Sequence, residues 1–198
     1  MKSMKLFERE LALIKNDKLR RAVHDYMNDP DYVHGYFWTD GASSSGKYHP
    51  KMSQGVGGLV RHTKAVVMFA EELLRMSSYA YMKEEYKDYV IAACIIHDTV
   101  KYGFDEKIDK SEYVNHAANA AQSFAEFCFH NTSYEPHFML LQAVRSHMGQ
   151  WSAPEDRPFT SIDRCVHMAD YMASRSFIDI PAITEEYDYI KDNWDLPF

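Results

Sequence analysis

Ionisable side chains on the apolar faces of helices constrain the fold of this chain more than any other feature. His62 is followed by apolar residues three, four, seven and eleven positions on, which places it on the inward stripe of a helix. Asp170 lies between Val166 and Ala173, with Phe177 one turn further along the same face. The same spacing places His97, Asp98, His116 and His147 on inward faces. Such groups need a partner, a proton or a metal ion, because burying an unpaired charge costs several kcal/mol.

Helical periodicity runs through most of the sequence. It predicts helices over residues 5–28, 58–79, 83–98, 111–130, 134–148, 160–178 and 182–192. Thr160 and Asp163 form a capping-box pattern at the start of one of these helices. Residues 31–57 are rich in glycine and predict a long loop. The sequence shows no convincing run of alternating strand residues, so it predicts an all-α, single-domain helical bundle.

The length of 198 residues suits one globular domain. Within it we expect an N-terminal helix and loop over residues 1–44, a functional core over residues 45–178, and a C-terminal helix and tail over residues 179–198. The longest apolar run, residues 90–96, is far too short to span a bilayer. Three cysteines lie in apolar helical patterns, which predicts buried free thiols and a reducing, cytoplasmic setting. These cysteines are Cys94, Cys128 and Cys165.

The charge balance bears on the class of partner. The formal net charge is −7, from 29 acidic and 22 basic residues. This balance does not favour a surface for long polyanions, which usually carries clustered lysine and arginine. A metal cluster would add positive charge locally, so a small anionic substrate is compatible with the composition.

The inward histidines and aspartates favour a metal centre when they are taken together. A single inward histidine is more often a core residue with a satisfied hydrogen bond. Four inward histidines and two inward aspartates have the number and chemistry of a dinuclear site, where imidazoles bind and a carboxylate bridges. Imidazole-rich ligation suits manganese, iron, cobalt, nickel or zinc better than magnesium. His49, in the glycine-rich loop, is a candidate contact to this site. His167 is expected either behind the ligands or in an ordinary surface or core position.

The order His62, His97-Asp98, His116, His147 and Asp170 resembles the HD-domain superfamily of metal-dependent phosphohydrolases. The adjacent His97-Asp98 pair closes an apolar helix in the stretch VIAACIIHDTVKYG. The stretches GGLVRHT at 57–63, HDTVK at 97–101 and SHMGQWSAPEDRPFTSIDRCVHMADYMAS at 146–174 resemble the HD domains of YhaM-type 3′–5′ exoribonucleases. The resemblance covers roughly residues 45–178.

The resemblance implies a role for each matching residue. His62, His97, Asp98 and Asp170 would hold one divalent ion, and Asp98 would bridge to a second ion bound by His116 and His147. Asp98 and Lys101 are the implied catalytic residues, and Lys101 would contact a substrate phosphate. Lys47, His49 and Arg145 are further candidates for substrate binding. A lysine at position 101 differs from the nucleotidase branch, which has a glutamate there. Residues 1–44 are too short and too helical for the oligonucleotide-binding barrel of YhaM-type enzymes, which argues against action on long RNA.

Residues 41–47, GASSSGK, match the spacing of a P-loop. A P-loop needs a preceding strand and a serine or threonine after the lysine, at the start of a helix. Tyr48 stands in that place and Pro50 follows, so the sequence argues against a P-loop. Lys47 and His49 could still close over phosphate oxygens, and a flexible surface loop is the alternative interpretation.

The favoured function is a phosphohydrolase that cleaves a phosphoester or phosphoanhydride bond of a nucleotide, using a metal-activated hydroxide. The alternatives are a 3′–5′ exonuclease on short single-stranded RNA or DNA, and a non-catalytic nucleotide-sensing module. A continuous basic groove would favour the exonuclease. Metal binding without hydrolysis would favour the sensor. The expected partner is a small phosphorylated substrate, with no membrane, and the oligomeric state is open.

Overall fold

The computed structural model describes residues 3–43, 49–104 and 115–193. Within these ranges the regular elements are α-helices and short 3₁₀ turns, and no strand is found, so the predicted all-α class is confirmed. The helices are α1 (Glu8–Ala12), α2 (Asp17–Asn28), α3 (Gly35–Thr39), α4 (Gly58–Arg75), α5 (Glu84–Ile96), α6 (His116–Asn131), α7 (Phe138–Ser146), α8 (Ser161–Ala173) and α9 (Pro181–Asn193). None of the described helices is long and apolar enough to cross a membrane.

Helix α5 is the central helix of the bundle. Every residue from Asp88 to Ile96 is buried, which is typical of a helix that is surrounded on all sides. Helices α4, α7 and α8 pack against α5, α8 also packs against α4 and α7, and α6 packs on α7. The thiols of Cys94, Cys128 and Cys165 are free and buried in this core, as predicted. The C-terminal end of α5 therefore delivers His97 and Asp98 to the middle of the bundle.

The predicted opening helix over residues 5–28 is wrong in one respect, because the chain breaks between α1 and α2. The Asp88 carboxylate of α5 accepts the backbone N–H groups of Lys15 and Asn16, at 2.9 and 2.8 Å. The Asn16 side chain then caps α2 by accepting the N–H groups of Lys18 and Leu19. The break is set by a residue more than 70 positions away, so periodicity could not reveal it.

Helix α8 begins with the predicted capping box, in which Thr160 and Asp163 bond each other's backbone N–H groups. The helix ends at Ala173 rather than at residue 178. Phe177 consequently lies beyond the helix and is 81% exposed, not inward as its spacing predicted. The glycine-rich segment is also not a continuous loop, since it contains α3 and a 3₁₀ turn at Lys51–Ser53.

A buried lysine ties both ends of the described chain to α4. Lys64 is 1% exposed, and its ammonium donates to the Leu6 carbonyl oxygen at 2.6 Å and to the Glu10 carboxylate at 2.9 Å. It also contacts Glu186 of α9 at 3.2 Å. A buried ammonium is stable only with such partners, so the contacts fix the N-terminal segment and α9 on the bundle.

Candidate metal centre

Five helices bring their polar residues to one buried point. His62 lies near the start of α4, His116 starts α6, and Asp170 lies in the last turn of α8. The remaining members follow the ends of α5 and α7. All are buried except Asp170, whose side chain is 15% exposed. The structure thus brings together all the predicted ligand residues, called here the Asp98 cluster: His62, His97, Asp98, His116, His147 and Asp170.

One half of the Asp98 cluster surrounds the Oδ2 atom of Asp98. The Nε2 atoms of His62 and His97 lie 3.8 and 3.6 Å from this oxygen and 3.4 Å from each other. The Oδ1 atom of Asp170 lies 3.1 Å from His62 Nε2 and 3.9 Å from His97 Nε2. Two imidazole nitrogens and two carboxylate oxygens therefore converge here.

The other half faces the Oδ1 atom of Asp98. The Nε2 atoms of His116 and His147 lie 3.2 and 3.7 Å from this oxygen and 3.1 Å from each other. The two halves adjoin, because the ligand atoms of His97, Asp98 and His147 lie within 4.8 Å of one another. Asp98 thus presents one carboxylate oxygen to each half.

Backbone contacts set the tautomers of two histidines. The Nδ1 atoms of His97 and His147 lie 2.8 Å from the carbonyl oxygens of Cys94 and Val144, each three residues earlier. A carbonyl oxygen only accepts hydrogen bonds, so each Nδ1 carries the hydrogen. The lone pair of each Nε2 therefore points into the cluster. Burial lowers the pKa of His97, and burial with the neighbouring His97 and His116 lowers the pKa of His147 to about 3. Both rings are therefore neutral acceptors at neutral pH.

The carboxylates are the charged members of the Asp98 cluster. Burial would raise the pKa of Asp98, but Lys101 and His97 beside it hold that pKa well below its usual range. Burial would also raise the pKa of Asp170, but the hydrogen bond from His62 and the neighbouring His62, His97 and His147 rings together lower it. Oδ1 of Asp98 and Nδ1 of His62 are buried without a hydrogen-bond partner among the described residues.

This donor set fits divalent metal ions. Ligands at about 2.1 Å from an ion place neighbouring donor atoms about 3.0–3.4 Å apart in octahedral or tetrahedral geometry. The separations of 3.1, 3.1 and 3.4 Å within the cluster match that spacing, and 3.6–3.9 Å requires only small side-chain adjustments. The Nε2 lone pairs of His97 and His147 converge with the carboxylate oxygens of Asp98 and Asp170, and a cation between them would remove their mutual repulsion.

A cavity of about 420 Å³ opens beside the Asp98 cluster. It is lined by His49, Lys101, His147, Met148, Trp151, His167, Asp170, Tyr171, Ser174 and Arg175. The buried ammonium of Lys101 contacts Oδ2 of Asp98, so it lies between the cluster and the cavity. This volume is in the usual range for small-molecule sites.

The other residues predicted to bind substrate differ from one another in their position relative to the cavity. The His49 ring lies 5.3 Å from the His62 ring, and burial together with His62 lowers the pKa of His49 to about 3. Arg145 is half-buried on α7 and is not among the residues that line the cavity. Residues 44–48, which include Lys47 and most of the P-loop-like stretch, lie outside the described residues.

Sequence reasoning did not identify Trp151, Tyr171 and Arg175, which line the cavity. A signal for two of them was present, because Tyr171 directly follows Asp170 and Arg175 lies one turn beyond Tyr171. Trp151 follows His147 by four residues, but only the 3₁₀ turn at Gly149–Trp151 brings it to the cavity. His167 also lines the cavity, and its Nδ1 donates to the His147 carbonyl oxygen at 2.8 Å.

A comparison with protein families matches the region that contains the Asp98 cluster. Residues 59–175, more than half of the chain, match the family model of the HD domain. Dihydroneopterin 2′,3′-cyclic phosphate phosphodiesterase of Methanocaldococcus jannaschii is 29% identical over 102 residues, which cover 48% of this chain and 40% of that protein. The chain thus matches less than half the length of this relative. No solved structure matches the chain significantly.

Proposed function

The chain belongs to the HD domain family, as the sequence motifs suggested, and we propose that it is a metal-dependent phosphohydrolase. It would cleave a phosphoester or phosphoanhydride bond of a small phosphorylated substrate, with a nucleotide as the favoured class. The observation that carries the proposal is the position of Asp98, whose two carboxylate oxygens face two separate groups of imidazole nitrogens. This arrangement is suited to a carboxylate that bridges two ions.

We assign the ligands as the resemblance to HD-domain phosphohydrolases implies. One divalent ion would be held by His62, His97, Asp98 and Asp170. A second ion would be held by His116, His147 and the other oxygen of Asp98. Bound ions supply an activated water at neutral pH and stabilise charge on phosphate oxygens. The imidazole-rich donor set favours manganese, iron, cobalt, nickel or zinc.

The residues of the chain would prepare the site for an anionic substrate. Lys101 supplies a positive point charge beside Asp98. Because Lys101 also lines the cavity, its charge would attract a phosphate oxygen bound there. His49 is neutral at neutral pH, because its pKa is about 3, so it would bind substrate by hydrogen bonds rather than by charge. Arg175, at the cavity, is a better-placed guanidinium for phosphate than Arg145.

A phosphodiester is a specific candidate for the bond that is cleaved. The printed name of the archaeal relative makes that protein a phosphodiesterase acting on a cyclic phosphate. A cavity of about 420 Å³ supports a small substrate over a long polynucleotide. The exonuclease activity and the likeness to YhaM-type enzymes stay predictions, as does a cytoplasmic location.

The test compares two buried aspartates of the α5 region. Wild-type protein, Asp98→Asn and Asp88→Asn would be loaded with manganese and assayed on ribo- and deoxyribonucleotides, nucleoside 2′,3′-cyclic phosphates and short single-stranded oligonucleotides. Asp98→Asn is expected to lose bound metal and to lower turnover more than about a hundredfold, because it removes the bridging ligand. Asp88→Asn weakens the contact that holds the break between α1 and α2, away from the cluster, and is expected to keep both metal and turnover.

The outcomes separate the three functions. Turnover of mononucleotides or cyclic phosphates that depends on Asp98 would support the proposal. Shortening of oligonucleotides alone would support the exonuclease. Bound metal with no hydrolysis of any phosphoester in the panel would support a sensor, and full turnover in Asp98→Asn would show that the ligand assignment is wrong.

A further inference from the structure

The cavity beside the Asp98 cluster is also lined by aromatic side chains that the proposed hydrolysis does not use. Lys101, His147 and Asp170 line it where it meets the cluster. Trp151, Tyr171 and Arg175 also line it, and they offer no ligand atom to the cluster. These three residues are called here the aromatic wall. Hydrolysis of phosphate needs charges and ligands, so two aromatic side chains at the same cavity call for a different role.

Trp151 is the most exposed member of the aromatic wall. The residue is 58% exposed, although tryptophan is highly buried on average in folded proteins. Exposure alone would carry no argument, since single apolar residues are common on surfaces. The position of Trp151 does suggest a role, because its indole lines the cavity that is also lined by His147, four residues earlier in the chain.

The turn that carries Trp151 is held firmly. Gly149 has φ +62°, and a Cβ atom on it would lie 2.0 Å from the ring of His167, so the imidazole packs directly on the turn. His167 Nδ1 also donates to the His147 carbonyl oxygen at 2.8 Å. Both contacts join the turn to α8. A surface fixed before binding loses less conformational entropy when a ligand stacks on it.

Arg175 adds a second flat surface. Its guanidinium lies 4.1 Å from the centre of the Tyr171 ring, and its Nε donates to the Tyr171 carbonyl oxygen at 3.0 Å. A further bond from Arg175 to the Ser174 hydroxyl, at 2.9 Å, fixes the plane of the group. A guanidinium held in this way stacks on planar rings and also attracts anions.

We propose that the aromatic wall is the specificity subsite of the enzyme and that it stacks on a flat heteroaromatic ring carried by the substrate. This inference rests on the proposed function, because it takes the cavity to be the substrate site. The substrate class is then a phosphoester of a nucleoside or of a similar planar heterocycle, rather than a sugar phosphate or a glycerol phosphate. Trp151 is the specificity-determining residue.

Binding of two matched ligands tests the inference. Adenosine 5′-monophosphate and ribose 5-phosphate carry the same phosphate and differ by the ring. Titration of the manganese-loaded protein with the nucleotide is expected to quench tryptophan fluorescence, and ribose 5-phosphate is not. In Trp151→Ala the Kd for the nucleotide is expected to rise about tenfold, the effect of losing one base–aromatic stack, with the Kd for ribose 5-phosphate unchanged.

Two further variants sharpen the result. Trp151→Phe keeps a smaller ring and is expected to give an intermediate Kd for the nucleotide. Phe129→Ala removes an aromatic side chain that is 83% exposed and does not line the cavity, so it is expected to leave the Kd unchanged. An unchanged nucleotide Kd in Trp151→Ala, or equal changes for both ligands, would overturn the inference.

Hydrolysis assays keep this inference separate from the proposed function. Adenosine 2′,3′-cyclic phosphate and glycerol 1,2-cyclic phosphate would be compared as substrates. Hydrolysis of both with equal kcat/KM would overturn the inference and leave the phosphohydrolase in place. Stacking that depends on Trp151, without hydrolysis of any phosphoester, would support the subsite and overturn the proposed function.

Discussion

The Nε2 atoms of His116 and His147 lie 3.1 Å apart in a pair where only His116 can supply the hydrogen between them. His147 donates from Nδ1 to the Val144 carbonyl oxygen, and its pKa of about 3 keeps the ring neutral, so its Nε2 is an acceptor. His116 must therefore carry a hydrogen on Nε2 when no metal is bound. A metal ion bound by both rings would take the place of that hydrogen.

Metal loading is accordingly expected to change the protonation of His116 and to leave the tautomer of His147 unchanged. Long-range ¹H–¹⁵N spectra of the imidazole rings, recorded with and without zinc, would measure this. We expect a protonated Nε2 on His116 in the metal-free protein and a metal-bound Nε2 after loading. A metal-free His116 without a hydrogen on Nε2 would contradict the proposed pairing.

The two halves of the Asp98 cluster are expected to lose their ions separately. His116→Ala removes a ligand from the half that faces Oδ1 of Asp98, and His62→Ala removes one from the half that faces Oδ2. Each variant is expected to bind one ion where the wild type binds two, as measured by elemental analysis after dialysis. His130→Ala removes an exposed histidine of α6 and serves as the control. Equal metal content in His62→Ala, His116→Ala and the wild type would argue against two sites.

The stability of the metal-free protein is expected to fall as the pH drops below about 6.5. Unfolded chains protonate histidine near that pH, whereas folded His147 stays neutral down to about pH 3. The unfolded state thus binds more protons between these values, and stability rises with pH across this window. His147 alone contributes about 1 kcal/mol between pH 6.5 and 5.5.

Urea unfolding at several pH values would measure this dependence. His147→Gln is expected to flatten the slope, while His130→Gln, at an exposed position, is expected to leave it unchanged. The carboxylates of Asp98 and Asp170 have lowered pKa values, so their contribution to stability is lost only at more acidic pH. A slope that is identical in wild type and His147→Gln would refute the assignment.

The buried Lys64–Glu10 pair is expected to be sensitive to the loss of one partner. Glu10→Gln leaves the ammonium of Lys64, which is 1% exposed, short of its main countercharge. Breaking a buried pair in this way costs about 3–5 kcal/mol. Replacing both residues, as Glu10→Leu with Lys64→Met, is expected to recover much of this loss. The exposed Arg75–Glu71 pair is the matched control, and Arg75→Ala should cost at most about 1 kcal/mol in urea unfolding.

Alanine substitutions at Gly149 and Gly55 distinguish the cost of backbone strain from the cost of a steric clash. Both have positive φ, +62° and +65°, but an added Cβ overlaps the His167 ring only at Gly149. Gly55→Ala is expected to cost about 1–2 kcal/mol of stability from backbone strain alone. Gly149→Ala is expected to cost more and also to lower metal affinity, because displacement of His167 moves the turn after His147. Equal effects of the two substitutions in thermal unfolding and metal titration would remove the role assigned to His167.

Local spacing in the sequence was enough to determine the helical class and the inward direction of the Asp98 cluster. An α-helix repeats every 3.6 residues, so the face of a side chain follows from its apolar neighbours. The Thr160–Asp163 capping box is also a local contact, and it formed as predicted. The prediction that Phe177 points inward failed for a local reason too. Helix α8 ends at Ala173, so the helical spacing no longer applies at residue 177.

Only the tertiary structure decided which inward groups meet. The break before α2 depends on Asp88 of α5, and the split of Asp98 between two pairs of histidines depends on how four other helices pack around α5. The aromatic wall is likewise assembled from the turn after α7 and the end of α8. Periodicity gives the direction of a side chain from its own helix, but distances between helices are set by packing contacts that are remote in sequence.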